Sequence, residues 1–426
     1  MDSGPAIPKQ LATVQARAAL ARFPGLDSLF ENLEQFGRLE QQQVLAPELA
    51  ARLYGPVLRT SVSRMEQFAA CPFRFFVHSG LRAEERKRFE LDIKEQGTFQ
   101  HDVLAQFHEQ LRNEGKRWRD ITSAQARERV AQIAKVLSRS FRDGLLETTD
   151  ENQFTARMLS ESLQDFVETL VDWMHRQYQF DPAEVELSFG EEGGATAWGL
   201  DLGPAQRLEL RGRIDRVDLY RRSDSDGALC VVVDYKSSLK QLDPILIQHG
   251  LQLQLLMYLN VVRSWPEPNA AFGVTRLDPA GVFYVNLRGI YSREPNRLEA
   301  LANPGLARKL AYRHAGRFDA RALPHLDSRP GVHEGDQFNF RLTQSGQVSK
   351  VCKEAVASPD FEALLTQAQE NLRTMGQQVY SGRAEVSPYR KGTMTACDQC
   401  AYHSICRVDP WTQQYRVLRR TDEAPE

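Results

Sequence analysis

Two apolar segments joined by a short polar turn constrain this chain more than any other feature. Arg207–Leu219 alternates apolar and polar side chains as a half-buried strand does, and Leu229–Val233 is a continuous apolar run of the kind found in strands covered on both faces. Between them, Ser223-Asp224-Ser225-Asp226-Gly227 consists of turn formers. The expectation is a β-hairpin inside a sheet. It carries charge where a buried hairpin tolerates it least. Gly212-Arg213-Ile214-Asp215-Arg216-Val217-Asp218 lies on the first strand and Val231-Val232-Val233-Asp234-Tyr235-Lys236 on the second. Side chains alternate along a strand, so Asp234 and Lys236 share one face and Tyr235 takes the other. A turn centred between Asp224 and Ser225 sets Asp215 opposite Asp234, with Lys236 beside them; a turn centred on Asp226-Gly227 shifts that pairing.

Two carboxylates and an ammonium at the end of a buried strand suit metal-assisted phosphodiester hydrolysis. Hard oxygen ligands hold Mg²⁺, which usually keeps several waters. Such a metal polarises a phosphoryl oxygen and lowers the pKa of a bound water, and a lysine orients that water and balances charge. The bland alternative for Asp-x-Lys alone is a surface ion pair ending a strand. The upstream Gly-x-x-Asp strand argues against it.

The chain has 426 residues, enough for two or three domains or one elaborated one. Residues 1–60 read as an N-terminal helical segment made of short pieces, such as Leu11–Ala21 and Pro47–Leu53. Ser61-Val62-Ser63-Arg64-Met65-Glu66 resembles a helix start, with a capping hydroxyl and Glu66 three residues after Ser63. Phe68, Phe73, Phe75 and Phe76 then form an aromatic patch around Cys71-Pro72. Helical spacing predicts helices from Gly97 to about Arg112, over 121–142 with Thr122 as cap, and over 151–179. Strands are expected at Glu184–Phe189 and Val282–Leu287, and helices at 244–262 and Asp360–Tyr380; Arg293–Val351 yields no clear order. The expected fold class is α/β, with one main domain over 61–411 and a tail over 412–426.

Lys plus Arg number 54 and Asp plus Glu 56, a net charge of −2, which excludes a protein that coats nucleic acid through bulk charge. Nucleic-acid contact must be local. Candidate runs are Arg82 with Arg86, Lys87 and Arg88; Arg211, Arg213 and Arg216; and Arg390 with Lys391. No stretch approaches the roughly 20 apolar residues that span a bilayer, and Met1-Asp2-Ser3-Gly4-Pro5 is not a signal-peptide start. A cytoplasmic location is expected.

Of six cysteines, Cys397, Cys400 and Cys406 cluster near the C-terminus, and Cys71 stands far upstream. In a cytosolic chain such grouping favours ligation over disulfides. Four thiolates suit Zn²⁺ or an iron–sulfur cluster. Cys230 falls in an apolar strand and reads as core, and Cys352 has no partner.

Gly212-Arg213-Ile214-Asp215 followed by Asp234-Tyr235-Lys236 resembles the core of the PD-(D/E)XK nucleases, in their RecB-like branch. That branch has a histidine on an earlier helix, matched by Gly97-Thr98-Phe99-Gln100-His101. It has a Gln-x-x-x-Tyr helix after the lysine strand, matched by Gln254-Leu255-Leu256-Met257-Tyr258, with Gln252 a competing choice that lacks the tyrosine. Its iron–sulfur subgroup adds one early cysteine and a late Cys-x-x-Cys-x5-Cys run, matched by Cys71, Cys397, Cys400 and Cys406. Ser61–Glu66 and Cys71-Pro72-Phe73 are similar to AddB-type nuclease domains, and the resemblance spans roughly Leu45–Pro410. AddB proteins also carry a helicase-like region ahead of this domain. Neither it nor a Gly-x4-Gly-Lys-Ser/Thr loop is found here, so the expectation is a fragment or a short nuclease.

The resemblance implies a restriction-endonuclease-like mixed sheet flanked by helices, with helical insertions and N- and C-terminal regions stapled by a [4Fe–4S] cluster on the four cysteines. It implies Mg²⁺ (or Mn²⁺) held by His101, Asp215, Asp234 and the Tyr235 carbonyl. Lys236 would activate water, and Gln254 and Tyr258 would contact the scissile strand. Asp218 is expected to brace Arg216 or the hairpin, and His108 shares a helix face with His101. The implied activity is trimming of single-stranded DNA ends, on the 5′-ended strand, in double-strand break repair by recombination. An AddA-like helicase–nuclease is the implied partner, with no membrane. The alternative is a non-catalytic DNA-binding or assembly module that keeps the fold.

Overall fold

The computed structural model describes residues 44–84, 86, 89–191, 197–289, 304–406, 408 and 414–420. The expected helical piece at Leu11–Ala21, and Lys87 and Arg88 of one basic run, lie outside them.

In chain order the elements that position the site begin with helix α1 (Pro47–Tyr54), strand β1 (Val57–Thr60) and helix α2 (Val62–Ala70). Three long helices follow: α3 (Ile93–Asn113), α4 (Ser123–Ser140) and α5 (Asp150–Arg176). The chain then turns to strands β2 (Asp181–Phe189), β3 (Trp198–Gly203), β4 (Gln206–Leu210), β5 (Gly212–Arg221) and β6 (Gly227–Lys236). Helix α6 (Gln254–Arg263), strands β7 (Arg276–Asn286), β8 (Ala315–Asp319) and β9 (Ala355–Val356) and helix α7 (Ser358–Tyr380) complete the main body. Short strands β10 (Tyr389–Lys391), β11 (Met394–Thr395) and β12 (Arg416–Val417) close the chain.

The central sheet has the order β2-β5-β6-β7-β8-β9. β2, β5 and β6 run antiparallel to their neighbours in turn, β6 and β7 are parallel, and β7 and β8 antiparallel. This is the mixed α/β architecture expected. A second sheet, β1-β4-β3, packs beside it, and β11-β10-β12 forms a third. Helices cover both faces of the central sheet. On one face Ile214, Val217 and Val232 pack with α2, α6, α7 and Leu200, Leu202, Leu208 and Leu210 of the second sheet. On the other, Val231, Val233 and Tyr235 pack with α3, α4 and α5. Among the described residues no helix is long and apolar enough to cross a membrane.

Local sequence explains most starts and stops. Asp92 caps α3 by accepting the Glu95 N–H at 2.7 Å, so the helix begins four residues before the Gly97 expected to open it. Thr122 and Gln125 form the reciprocal capping box of α4. Three expectations about the elements need correction. The single strand Arg207–Leu219 is two, because the chain leaves the second sheet at Arg211 and enters the central one at Gly212. The single helix 244–262 is a short helix Pro244–Gln248 and then α6, interrupted at Gly250, whose φ of 79° no helix accommodates. The cap of α2 is Ser61, whose hydroxyl accepts the Arg64 N–H at 3.3 Å. Glu66 takes no part in capping its own helix.

Between β5, β6 and the helical face lies a fully buried charge network. Arg216 Nε pairs with Asp218 Oδ1 at 2.8 Å, with both side chains shut off from solvent, so Asp218 braces Arg216 as expected. Arg216 Nη1 donates to the Tyr235 hydroxyl at 2.9 Å, and the Tyr178 hydroxyl donates to Asp218 Oδ2 at 2.7 Å. Arg216, expected from sequence in a basic DNA-contact run, is thereby corrected to a core residue. Nearby, Trp118 Nε1–H donates to His108 Nδ1 at 3.1 Å. Burial, aided by Arg112, lowers that imidazole to about 4.

A neutral buried histidine gives a pH signature. As pH falls below about 6.5 the unfolded chain takes up a proton that folded His108 refuses until about pH 4. Stability is therefore complete above the unfolded value and declines through this window, by about 1.4 kcal/mol per unit for one proton. Asp215, held up at about 7, titrates in the same window with the opposite sign, so the test is the difference: in urea unfolding from pH 7 to 4 the parent should lose stability relative to His108→Gln, which cannot titrate, by about one proton's slope. An unchanged slope contradicts the assignment.

Candidate active site and a cysteine cavity

The hairpin register fixes the first part of the site. Arg216 pairs with Val233 and Val217 with Val232, which is the register of a turn between Asp224 and Ser225. The ladder ends there, and Asp215 and Asp234 are the next residues beyond its last pair. The Tyr235 N–H donates to Asp215 Oδ2 at 2.7 Å, so a side chain of β5 is tied to the backbone of β6. Both aspartates are buried, Asp215 8% and Asp234 1% exposed. Burial, with the Asp234 charge beside it, pushes Asp215 up to about 7, against the pull of His101 and Lys236.

Lys236 lies on the same face as Asp234 and forms an ion pair with its Oδ2. Burial alone would lower the ammonium's pKa; Asp234 and Asp215 together outweigh it and raise it. Its Nζ stands 5.8 Å from the Tyr284 ring centre. Asp234 Oδ1 is buried with no hydrogen-bond partner, a lone-pair donor with no proton to bind. Tyr235 points the other way, onto Phe166 and Arg216.

His101 enters from α3. Its Nδ1 lies 2.8 Å from Glu186 Oε1 and 3.6 Å from Asp215 Oδ1. Burial would lower its pKa, but Asp215, Glu186 and Asp234 together raise it. Glu186 is not among the residues that the sequence singles out. It sits on β2 between Val185, which pairs with Arg216, and Leu187, which pairs with Ile214, and so faces Asp215. Its φ of 55° is exceptional for a residue with a side chain in a strand, and Arg213 Nε holds its second oxygen at 2.6 Å. In the sequence it is one glutamate in a half-buried strand, which does not set it apart. His101, Glu186 and Asp215 each offer a ligand atom within 4.8 Å of the others. One imidazole and three carboxylates, one of them with an unpartnered buried oxygen, fit a hard divalent cation.

The Gln-x-x-x-Tyr helix closes the site from the opposite side. Gln254 Nε2 donates to the Tyr258 hydroxyl at 3.3 Å. Burial raises the Tyr258 pKa, the Gln254 hydrogen bond lowers it, and Asp234 and Asp215 raise it further. Gly212 makes this approach possible: a Cβ there would meet the Tyr258 hydroxyl and the Phe189 ring at 3.2 Å. Gln252, the competing choice, instead accepts the Asp243 N–H at 2.7 Å. Of the basic runs, Arg211 and Arg390 are exposed, Arg213 is engaged by Glu186, and Lys391 pairs with Asp243.

Away from the carboxylates, Cys71, Cys397, Cys400 and Cys406 line one cavity, and all four are free thiols. Cys71 is the residue at which α2 ends. Burial raises its thiol, and the backbone N–H groups of Arg74, Ser387 and Phe73 pull it back toward the thiolate. The Tyr415 hydroxyl does the same for Cys397. Arg416 fastens the late segment to the early one, donating to the carbonyls of Ser387, Ala69 and Ala70. Four thiols with such donors around them fit a thiolate-bound metal centre. Cys230 is buried in β6 and Cys352 lies apart, as the sequence suggests.

This arrangement has relatives. The family profile described as the PD-(D/E)XK nuclease superfamily matches residues 59–407. A protein of Moorella thermoacetica, named as a subunit of an ATP-dependent helicase/deoxyribonuclease, is 34% identical over 381 residues, covering 89% of this chain and 32% of that protein. The protein of the same name in Symbiobacterium thermophilum is 36% identical over 391 residues, covering 89% and 32%. That of Alkaliphilus oremlandii is 30% identical over 392, covering 91% and 34%. The chain thus spans about one third of the length of these curated relatives. With the profile running through both carboxylate strands, the histidine helix and the Gln-x-x-x-Tyr helix, the chain belongs to the PD-(D/E)XK nuclease superfamily.

Proposed function

We propose that the chain is a Mg²⁺-dependent deoxyribonuclease module of the AddB type that hydrolyses phosphodiester bonds of single-stranded DNA ends, on the 5′-ended strand, during recombinational repair of double-strand breaks. The observation that carries it is the convergence of His101, Glu186, Asp215, Asp234 and Lys236 beside the C-terminal end of β6 in the central sheet. The names of the relatives, each a component of a helicase/deoxyribonuclease, support DNA as the substrate and an AddA-like helicase–nuclease as the partner.

Asp215, Asp234 and His101 would hold the cation, with Glu186 as a further donor and the Tyr235 carbonyl completing the set. A bound Mg²⁺ supplies Lewis-acid polarisation of the phosphoryl oxygen and a more acidic water. Lys236 is anchored by Asp234, so its ammonium can orient the attacking water and offset the charge that builds on the phosphate. Gln254 and Tyr258, linked to each other and facing the carboxylates, would grip the scissile strand and hold it in line. The four cysteines would hold a [4Fe–4S] cluster whose task is structural, closing the early and late ends of the domain on each other and restricting the unfolded chain. DNA would be held through local cations, and its affinity should fall steeply with salt.

Asp234→Ala and Lys236→Ala should each slow cleavage of end-labelled single-stranded DNA with Mg²⁺ by roughly two to four orders of magnitude, while filter binding of the same DNA stays within a few-fold. Retained cleavage by both variants contradicts the nuclease reading and favours the binding-module alternative. Protein purified without oxygen should be brown, with iron and sulfide in equal amounts, and Cys397→Ser should lose the colour and unfold at lower temperature. Colourless protein with one zinc per chain overturns the cluster.

A further inference from the structure

Helix α6 carries Gln254 at its first position, and no side chain of its own neighbourhood caps it: Leu253 stands at the cap position. The leading N–H groups of a helix have no partner within it and must find one elsewhere. They find Glu66. Its Oε1 accepts the Leu253 N–H at 2.7 Å and the Gln254 N–H at 2.9 Å, from a residue 187 positions earlier in the sequence. A carboxylate is also the charge that the positive end of a helix favours.

The consequences reach the active site. The gripped peptide belongs to Gln254, so the carboxylate fixes the point from which the Gln254 amide extends to Tyr258. Glu66 itself is held by a rigid support. It lies on α2 between Met65 and Phe68, both buried in the core, and that helix ends at Cys71. Burial pushes the Glu66 carboxyl up to about 7, and the two N–H groups with Lys240 and Lys236 pull it back toward the carboxylate.

We propose that Glu66 is a positioning residue of the nuclease site, which acts by clamping the first peptide groups of α6 so that Gln254 stands where the scissile strand must pass. This rests on the nuclease reading above. The two hydrogen bonds are the working part, because Lys236 already has Asp234 as its direct partner. An uncharged acceptor of the same shape therefore serves.

The test is a double-mutant cycle with Mg²⁺ and single-stranded DNA, giving kcat and KM for Glu66→Ala, Glu66→Gln, Gln254→Ala and the Glu66→Ala/Gln254→Ala pair. Misplacing a positioned group by about an ångström costs up to about a hundredfold. The expected result is a kcat loss of about tenfold or more for each alanine variant, with KM within about threefold. The pair should be no worse than the weaker single, and Glu66→Gln should lie within about threefold of the parent. Amide hydrogen exchange gives a reading independent of catalysis: Leu253 and Gln254 should lose protection in Glu66→Ala and keep it in Glu66→Gln. Losses that multiply in the pair, a glutamine variant as slow as the alanine one, or unchanged protection each overturn the proposal. Cleavage that survives Asp234→Ala sinks the nuclease reading instead and leaves the exchange result standing on its own.

Discussion

Two buried carboxylates side by side are the constraint around which this molecule is arranged. Asp215 and Asp234 are almost sealed from water, and the Asp234 charge adds to the cost of ionising Asp215. The surroundings answer with a fixed set of partners: the Tyr235 N–H on Asp215, Lys236 on Asp234 and His101 from the helical layer. Even so, Asp234 keeps one oxygen without a hydrogen-bond partner. A fold optimised for stability alone would satisfy that oxygen or replace the pair with apolar side chains, since buried charge is a weak source of stability. Retaining it suits a site whose work is to bind a cation.

The carboxylates are held from behind by a second buried network. Arg216, one residue from Asp215, and Tyr235, one residue from Asp234, point to the opposite face and are bonded to each other. Asp218 and Tyr178 complete that cluster. The alternation of the two strands thus splits their polar residues into a reactive set on one side and a bracing set on the other. Glu66 gives a comparable support to α6, and α2, which carries it, runs directly into the cysteine cavity. The cysteines and the carboxylates are therefore joined through a single nine-residue helix.

The hairpin is legible in the sequence because period, turn chemistry and charge all agree; the turn residues leave two registers open, and the structure selects the one centred between Asp224 and Ser225. His101, Gln254 and Tyr258 stand out through the resemblance to the nuclease family's motifs, and the cysteines partly through their own grouping. Glu186 is not, because a glutamate in a half-buried strand carries no signal that distinguishes it, and only its left-handed backbone turns the side chain toward His101. Glu66 reads as a cap of its own helix, since a partner 187 positions away leaves no local pattern. Arg216 looks like surface charge because a buried Arg–Asp pair and a solvated one have the same sequence. The breaks at Arg211 and Gly250 are hidden for a related reason: apolar periodicity continues across both while the chain changes sheet or direction.

Where a hard cation sits decides whether this geometry is a nuclease site. Crystals soaked in Mn²⁺ and measured at the manganese absorption edge test it directly. An anomalous peak bounded by His101, Asp215 and Asp234, absent from Asp234→Asn crystals, is the predicted result. No peak there, or one that persists unchanged without the Asp234 carboxylate, contradicts it.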